Sequence, residues 1–429
     1  MIFLGQISRF RALYDSSRIE PPVRDRPLEI LHLITSLDVG GTETMLHRLI
    51  SFMDPRRFRN RVICLTGVGI VGEEMRRDGV PVHALDMPKG RVTRKALAEL
   101  WWLLRDHRPD VLQTWLYHSD LLGLLLGKAT GIPHVCWNIR CSYMDLARYN
   151  ATTKWTLRLC SLLSRLPTRI LTNSVEAKSF HIGLGYRRTG WEVIPNGFDL
   201  DTFRPDPGAK GFLLAETGVE AHPVGGRSGG PFLIGFMARY DPMKDHHTFF
   251  DAAVRLLEEG RDVRFVLAGK GVEPGNAPLN RLIPGKWKDR FHLCGRRNDI
   301  ERVTAGLDAA TLASHGEGFP NVVCEAMACG VPCVVMDVGD SASIVGDPRL
   351  VVRPGDPEAL AGAWRSLMDM PPEALTRLGE TSRQRVAARF DIRRVVDAYE
   401  RLYEGLGRGP DPPRRGRVVR PTGKSGRAS

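Results

Sequence analysis

Alternation between short apolar, β-branched runs and longer helical patterns constrains this chain more than any other feature. Strand-like runs at 28–34, 61–65, 81–87, 111–115, 134–139, 169–172 and 192–194 interleave with helical patterns at 42–52, 93–107, 116–130, 150–166 and 174–183. Consecutive parallel strands need a long crossover, usually a helix, so this pattern predicts parallel α/β construction. The alternation then restarts, with strands at 232–237, 263–268, 291–294, 309–313 and 332–336 and helices at 245–257 and 321–329. Between the two series, the Pro- and Gly-rich stretch 203–231 shows little periodicity and reads as a linker with an inserted loop. A single core stops growing near ~250–300 residues, and this chain has 429. Two Rossmann-like parallel-sheet domains facing each other across a cleft are therefore expected, at 27–202 and 232–389. A helix over 390–406 follows, with Val395, Val396, Tyr399, Leu402 and Tyr403 on one stripe. A loosely held arm (1–26) and a disordered basic tail (407–429) complete the expected layout.

The net charge of +12 is unevenly placed: +9 over 1–205, −3 over 206–406 and +6 over 407–429. A slightly acidic second half argues against a uniformly basic nucleic-acid coat. No run reaches the ~18 uninterrupted apolar residues of a membrane span. The opening Met1-Ile2-Phe3-Leu4-Gly5 is too short for a secretory signal. The eight cysteines form no C-x-x-C pair, and Cys324, Cys329 and Cys333 lack zinc-like spacing. No metal site is expected, and the setting reads as cytoplasmic.

Chemistry-bearing residues gather where strands end. The densest segment is Ser314-His315-Gly316-Glu317-Gly318-Phe319-Pro320-Asn321, continuing through Glu325 to Gly330. Gly316 and Gly318 let backbone amides approach a ligand, Pro320 suits a helix start, and Gly330 suits the residue after its end. Glu317 falls on the loop and Glu325 about one and a half turns into the helix. Both can address a ligand over the helix N-terminus, where free N–H groups and the dipole favour negative charge. Arg239 and Lys244 directly follow the first strand of the second series, where open parallel sheets bind ligands. Only 11 of the 61 basic residues are lysines, yet Lys244 and Lys270 both occupy such loops. An arginine fork with a lysine point charge suits a diphosphate. Gly269-Lys270-Gly271 is a further glycine loop, but it lacks the full G-x-G-x-x-G run and the later acid of a dinucleotide site. No cofactor is expected. In the first series, Gly40-Gly41-Thr42-Glu43 opens a helix with bare amides. Asn138 and Arg140 end another strand and are candidates for an acceptor phosphate. Taken singly, each cluster also fits ordinary surface acids or solvated loop charges.

Together these residues resemble the retaining glycosyltransferases of the two-domain GT-B fold, in the large family-4 group. The likeness is greatest to bacterial members that build exopolysaccharide, capsule or lipid-linked glycans. It rests on Gly40-Gly41-Thr42-Glu43, Ile194-Pro195-Asn196-Gly197-Phe198-Asp199, Arg239 with Lys244, and Gly295-Arg296-Arg297 before Asp299. The glutamates Glu317 and Glu325, then Gly330-Val331-Pro332 and Gly355-Asp356-Pro357-Glu358, complete it. The resemblance implies a nucleotide-diphosphate sugar donor, a glycan or polyprenyl-pyrophosphate-linked acceptor, and no metal. By it, Glu317 contacts the donor sugar, Glu325 the ribose hydroxyls, and Arg239 and Lys244 the diphosphate. Gly269, Gly318, Phe319, Pro320 and Asn321 would border the donor, with Gly40 and Gly41 on the opposite side. The turn at Gly295 and Arg296 would border the nucleobase, and the last helix would cross back to the first domain. Two departures stand out. Family members often place a histidine at the end of the fourth strand, but here that strand ends Gln113-Thr114-Trp115, and His118 is the expected stand-in. After Gly339, Asp340-Ser341-Ala342-Ser343 lacks a glutamate that many relatives carry.

A GT-B epimerase or hydrolase, or a non-catalytic sugar-nucleotide-binding paralogue, stays open at this level. The joint presence of Arg239, Lys244, Glu317 and Glu325 argues against an idle site. The helices at 93–107 and 150–166 combine Trp101, Trp102 and Trp155 with Arg105, Lys154, Arg158 and Arg165. With the positive first half, they point to peripheral attachment on the inner face of the cytoplasmic membrane, although each also fits a helix packed on its own sheet.

Overall fold

The computed structural model describes residues 26–88, 90–141, 151–218 and 230–407. Apart from Arg26 and Gly407, the expected arm and basic tail lie outside the described residues. Seven strands form the first sheet: β1 Leu28–Ile34, β2 Phe58–Cys64, β3 Val82–Ala84, β4 Val111–Trp115, β5 His134–Ile139, β6 Arg169–Thr172 and β7 Trp191–Val193. Six form the second: β8 Phe232–Met237, β9 Val263–Ala268, β10 Phe291–Leu293, β11 Ala309–Leu312, β12 Cys333–Met336 and β13 Val351–Val352. The neighbours pair in parallel, in the orders β3-β2-β1-β4-β5-β6-β7 and β10-β9-β8-β11-β12-β13. The expected pair of Rossmann-like domains is what the chain forms. Each order reverses once, at β1/β4 and at β8/β11, and such reversals open a crevice at the strands' carboxyl ends.

The first sheet is buried on both faces, and its residues alternate between two cores. Leu28, Ile30, Ile34, Val111, Trp115 and Cys136 face helix Gly41–Phe52. Leu31, Leu33, Leu112, Val135, Trp137 and Ile139 face Leu100, Leu104, Leu124 and Leu157 of helices Arg94–His107, Tyr117–Ala129 and Ala151–Leu163. Strands covered on both sides read as mostly apolar runs, which makes them legible in sequence.

Of the differences from expectation, three bear on the layout. The strand at 81–87 narrows to Val82–Ala84, because Asp86 turns to φ 49 and interrupts the extended chain. The stretch at 203–231 contains helix Ala209–Glu216, whose Leu213 and Leu214 join the second core. Lys210 in it bonds Asp308 at 2.8 Å. Finally, Phe390 ends helix Pro372–Phe390 rather than opening the last one, which spans Ile392–Gly407. The chain turns at Asp391, where the Phe198 N–H donates to Phe390 O at 2.9 Å and the Ile392 N–H to Phe198 O at 3.0 Å. Beyond that turn, Ile392, Val395, Val396, Tyr399 and Tyr403 bury themselves against Leu46, Leu49, Phe58 and Trp115 of the first domain. Arg57 clasps Glu400 of this helix at 2.9 Å.

Candidate active site

Where the second sheet reverses, the loops after β8 and β11 meet. Lys244 Nζ pairs with Glu317 Oε1, and the same oxygen accepts the Ser314 hydroxyl at 2.7 Å. Their side chains are 17% and 14% exposed, sheltered but reachable. The loop beneath Lys244 is braced. Asp241 accepts the Met243 N–H at 2.9 Å, and the His315 N–H donates to Met243 O at 2.8 Å, stitching the two loops together. Asp245 then caps helix His246–Glu258 through the Thr248 N–H at 3.1 Å. Arg239 sits at the rim, 60% exposed and 3.1 Å from Asp241.

Gly269 has φ 154, and a β-carbon there would strike the Ala238 carbonyl, so the β9 loop can lie against the β8 loop only as glycine. Its N–H donates to Gly295 O at 2.8 Å, holding the turn that carries exposed Arg296. Arg297 ties that turn down, reaching Asp299 at 2.7 Å and Glu216 of helix Ala209–Glu216 at 3.2 Å.

Helix Asn321–Ala328 starts without a side-chain cap, leaving its first N–H groups as a ready anion site. First-domain residues come right up to it. The Asn196 amide donates to Asn321 Oδ1 at 2.6 Å, and a β-carbon on Gly41 would lie 3.0 Å from Asn321 Nδ2. Gly41 thus faces the second domain. The loop is not bare, however: the Glu43 carboxylate folds back beside Gly40 and accepts the N–H groups of Thr42 and Glu43. Burial pushes the Glu43 pKa up, and the backbone N–H groups of Glu43 and Thr42 work against that. Gly318 is fixed by the Asp340 N–H, which donates to its carbonyl at 3.0 Å.

Several expected site residues do other work. Phe319 turns into the core, stacked on Phe198 at 6.3 Å and edge-on to Phe390 at 5.3 Å, and Pro320 is buried beside it. Asn138 and Arg140, expected to await an acceptor, hold the last helix instead. Both donate to the Tyr399 hydroxyl, at 3.0 and 2.8 Å, and Arg140 also donates to Asn196 at 2.5 Å. The Arg140 guanidinium lies over the Trp115 ring at 4.8 Å, and burial pulls its pKa down. Trp115 occupies the end of the fourth strand as a fully buried residue, its indole N–H 3.2 Å from His32 Nδ1. His118 lies one turn on, half-buried in helix Tyr117–Ala129 and without a hydrogen-bond partner among the described residues. Burial lowers its pKa, so it is neutral at pH 7.

Two contacts escape sequence reasoning. Asp340 accepts the Val175 and Glu176 N–H groups at 3.2 and 3.4 Å, capping a first-domain helix, Val175–Gly183, from the second domain. Glu325 pairs with Arg48 of helix Gly41–Phe52 at 3.5 Å. Burial pushes the Glu325 pKa up, and Arg48 opposes the shift. Arg48 also lies over the rings of Phe198 and Phe203 at 5.6 and 5.5 Å. No local pattern marks either pair, since the partners lie far apart along the chain. Arg48→Ala is expected to cost ~1–3 kcal/mol by leaving a sheltered carboxylate without its cation. Adding Glu325→Gln should recover part of that loss in urea melts, whereas strictly additive losses would show that the two side chains do not interact.

The family model described as Glycosyltransferase Family 4 matches residues 39–202, and that described as Glycosyl transferases group 1 matches 231–370. Between them they take in the loops of both crevices. This chain belongs to the family-4 glycosyltransferases. The glycosyltransferase is 25% identical over 317 residues to the UDP-Gal:alpha-D-GlcNAc-diphosphoundecaprenol alpha-1,3-galactosyltransferase of Escherichia coli, covering 72% of this chain and 79% of that one. It is 26% identical to the lipopolysaccharide core biosynthesis mannosyltransferase LpcC of Rhizobium leguminosarum bv. viciae, over 75% of this chain and 85% of the relative. Its fold is shared with Anabaena Alr3699/HepE, solved in complex with UDP, at a TM-score of 0.74 and 20% identity, over 88% of this chain and 100% of that one. The same relative was also solved with UDP-glucose, at a TM-score of 0.73.

Proposed function

We propose that this glycosyltransferase is a retaining, metal-independent enzyme. In this reading it moves a sugar from a UDP- or GDP-linked donor to a glycan or polyprenyl-pyrophosphate-linked acceptor in bacterial glycan synthesis, at the inner face of the cytoplasmic membrane. The observation that carries the reading is the Lys244, Glu317 and Ser314 cluster at the β8/β11 crevice, beside the uncapped start of helix Asn321–Ala328. Breaking a sugar–diphosphate bond develops charge on the leaving phosphate. Lys244, Arg239 and the helix N-terminus supply fixed positive charge there, which stabilises the transition state without reorganisation. Glu317 meets the donor sugar, Glu325 the ribose, and neutral His118 the acceptor side of the cleft. In the retaining route the leaving phosphate itself takes the acceptor hydroxyl's proton, so no carboxylate nucleophile is required. The relatives' names support a nucleotide donor and a lipid-linked acceptor.

A thermal-shift screen of UDP- and GDP-sugars, with and without EDTA, tests this directly. A true donor stabilises the fold by RT ln(1 + [L]/Kd), so ~100 Kd of donor gives ~2.7 kcal/mol. Stabilisation by at least one nucleotide sugar, insensitive to EDTA, is expected. Nucleotide release in the absence of any acceptor, as fast as with one, would instead favour a hydrolase or epimerase.

A further inference from the structure

We propose that the outer surface of three neighbouring first-domain helices docks on an anionic phospholipid bilayer. Helices Arg94–His107, Tyr117–Ala129 and Ala151–Leu163 lie side by side over one face of the first sheet. On the third, Thr156, Leu157 and Cys160 are buried on the inner side. Trp155, Leu159, Leu162 and, just past its end, Leu166 stand 62%, 42%, 77% and 53% exposed. Steps of three or four residues align them along one outer line of the helix. Trp102 and Leu125, 57% and 49% exposed, carry the apolar surface onto the two neighbours. A band of large apolar groups on the outside of a folded domain marks an interaction surface.

The charges around the band select the partner. Exposed Arg158 and, just past the helix end, Arg165 flank it on the third helix, Lys128 on the second, and Arg105 with the capping residue Arg108 on the first. Arg158 lies against the Trp155 ring and Arg105 against the Trp102 ring, each at 5.5 Å. The second and third helices expose no acid at all: Asp120, their single carboxylate, is 1% exposed. On the first helix Glu99 and Asp106, three residues before and four after Trp102, share its face, so the cationic excess rests on the acid-free pair. Two copies of the chain pairing here would set cationic rims against each other, which opposes a dimer. An anionic headgroup layer satisfies the rim while the tryptophans and leucines enter the acyl boundary. The other face of the sheet is closed by helix Ile392–Gly407, so this layer is the one available. The helices begin at the carboxyl ends of the strands, which places the crevice at the end of the docked layer. The proposal rests on the reading of a lipid-linked acceptor for its purpose, and on the surface alone for its chemistry.

Full-length protein sedimented with phosphatidylcholine vesicles, with or without phosphatidylglycerol, tests it, and the thermal shift given by UDP is measured alongside. Binding only to vesicles with phosphatidylglycerol is expected, weakening with salt as the Debye length falls to ~3 Å at 1 M. Arg158→Gln with Arg165→Gln should weaken partitioning roughly fivefold per cation removed. Trp155→Ser with Leu162→Ser should abolish it, and both variants should keep the UDP shift, since these side chains lie outside core and crevice. Equal binding to both vesicle types, or wild-type binding by the Trp155→Ser/Leu162→Ser variant, overturns the proposal. So does light scattering that shows a dimer which this variant splits. Vesicle binding by a protein that no nucleotide sugar stabilises would sustain the docking surface and overturn the reading of function alone.

Discussion

Lys244→Ala is expected to lower the rate of sugar transfer by ~10²–10³-fold, the usual consequence of removing one fixed donor from a developing oxyanion. The effect should fall on kcat more than on KM. The ground-state diphosphate keeps Arg239 and the start of helix Asn321–Ala328, whereas the extra charge on the leaving phosphate is met chiefly by the sheltered ammonium. The fold should tolerate the change. Glu317 retains the Ser314 hydroxyl, and the loop is held by backbone bonds through Met243 that do not involve the lysine side chain. Glu317→Ala should be comparably damaging, because it removes the partner that aims Lys244 and, in the proposed reading, the group that meets the sugar. Steady-state kinetics with the donor found by thermal shift read both parameters. Wild-type kcat in both variants would remove the cluster from the active site.

Lys244 and Glu317 were within reach of the sequence because loops at parallel-strand ends announce themselves through glycine and sharp loss of periodicity. The strands were legible for a related reason: burial on both faces makes β8 an unbroken apolar run and leaves β1 and β4 mostly apolar. What the pattern cannot carry is which distant surfaces meet. Phe319 sits in a loop full of site residues, and only the placement of Phe198 and Phe390 around it makes it core. Arg48 looks like any solvent-side arginine of an amphipathic helix until Glu325 arrives from the other domain. Helix Ala209–Glu216 was hidden because adjacent apolar residues, Phe212 through Ala215, blur its period. Arg140 shows the limit most clearly. A cation at a strand end suggests a waiting phosphate, yet its partner is a tyrosine 259 residues away.

That tyrosine leads to the second large effect. Tyr399→Ala is expected to destabilise the protein by ~3–5 kcal/mol, the range for deleting a fully buried aromatic ring. Tyr399 has no exposure, stacks on Trp115 at 6.4 Å and 19°, and lies 6.0 Å from Tyr403. Its hydroxyl accepts from both Asn138 and Arg140, so the deletion also strips the guanidinium of one of the two acceptors it has among the described residues. Tyr399→Phe separates the two contributions: it keeps the ring and removes the hydroxyl, and should cost ~1–3 kcal/mol for the stranded donors. The remainder belongs to packing of helix Ile392–Gly407 on the first domain. Because that helix begins in the second domain's turn at Asp391, loosening it frees the domains relative to each other. Tyr399→Ala should therefore lose transfer activity even at temperatures where it stays folded, while the thermal shift given by the donor nucleotide persists, since the proposed donor loops belong to the second domain. Urea melts give the stability terms. A loss below ~1 kcal/mol for Tyr399→Ala, within the range of an ordinary surface substitution and its error, would mean that the last helix is not anchored through this residue.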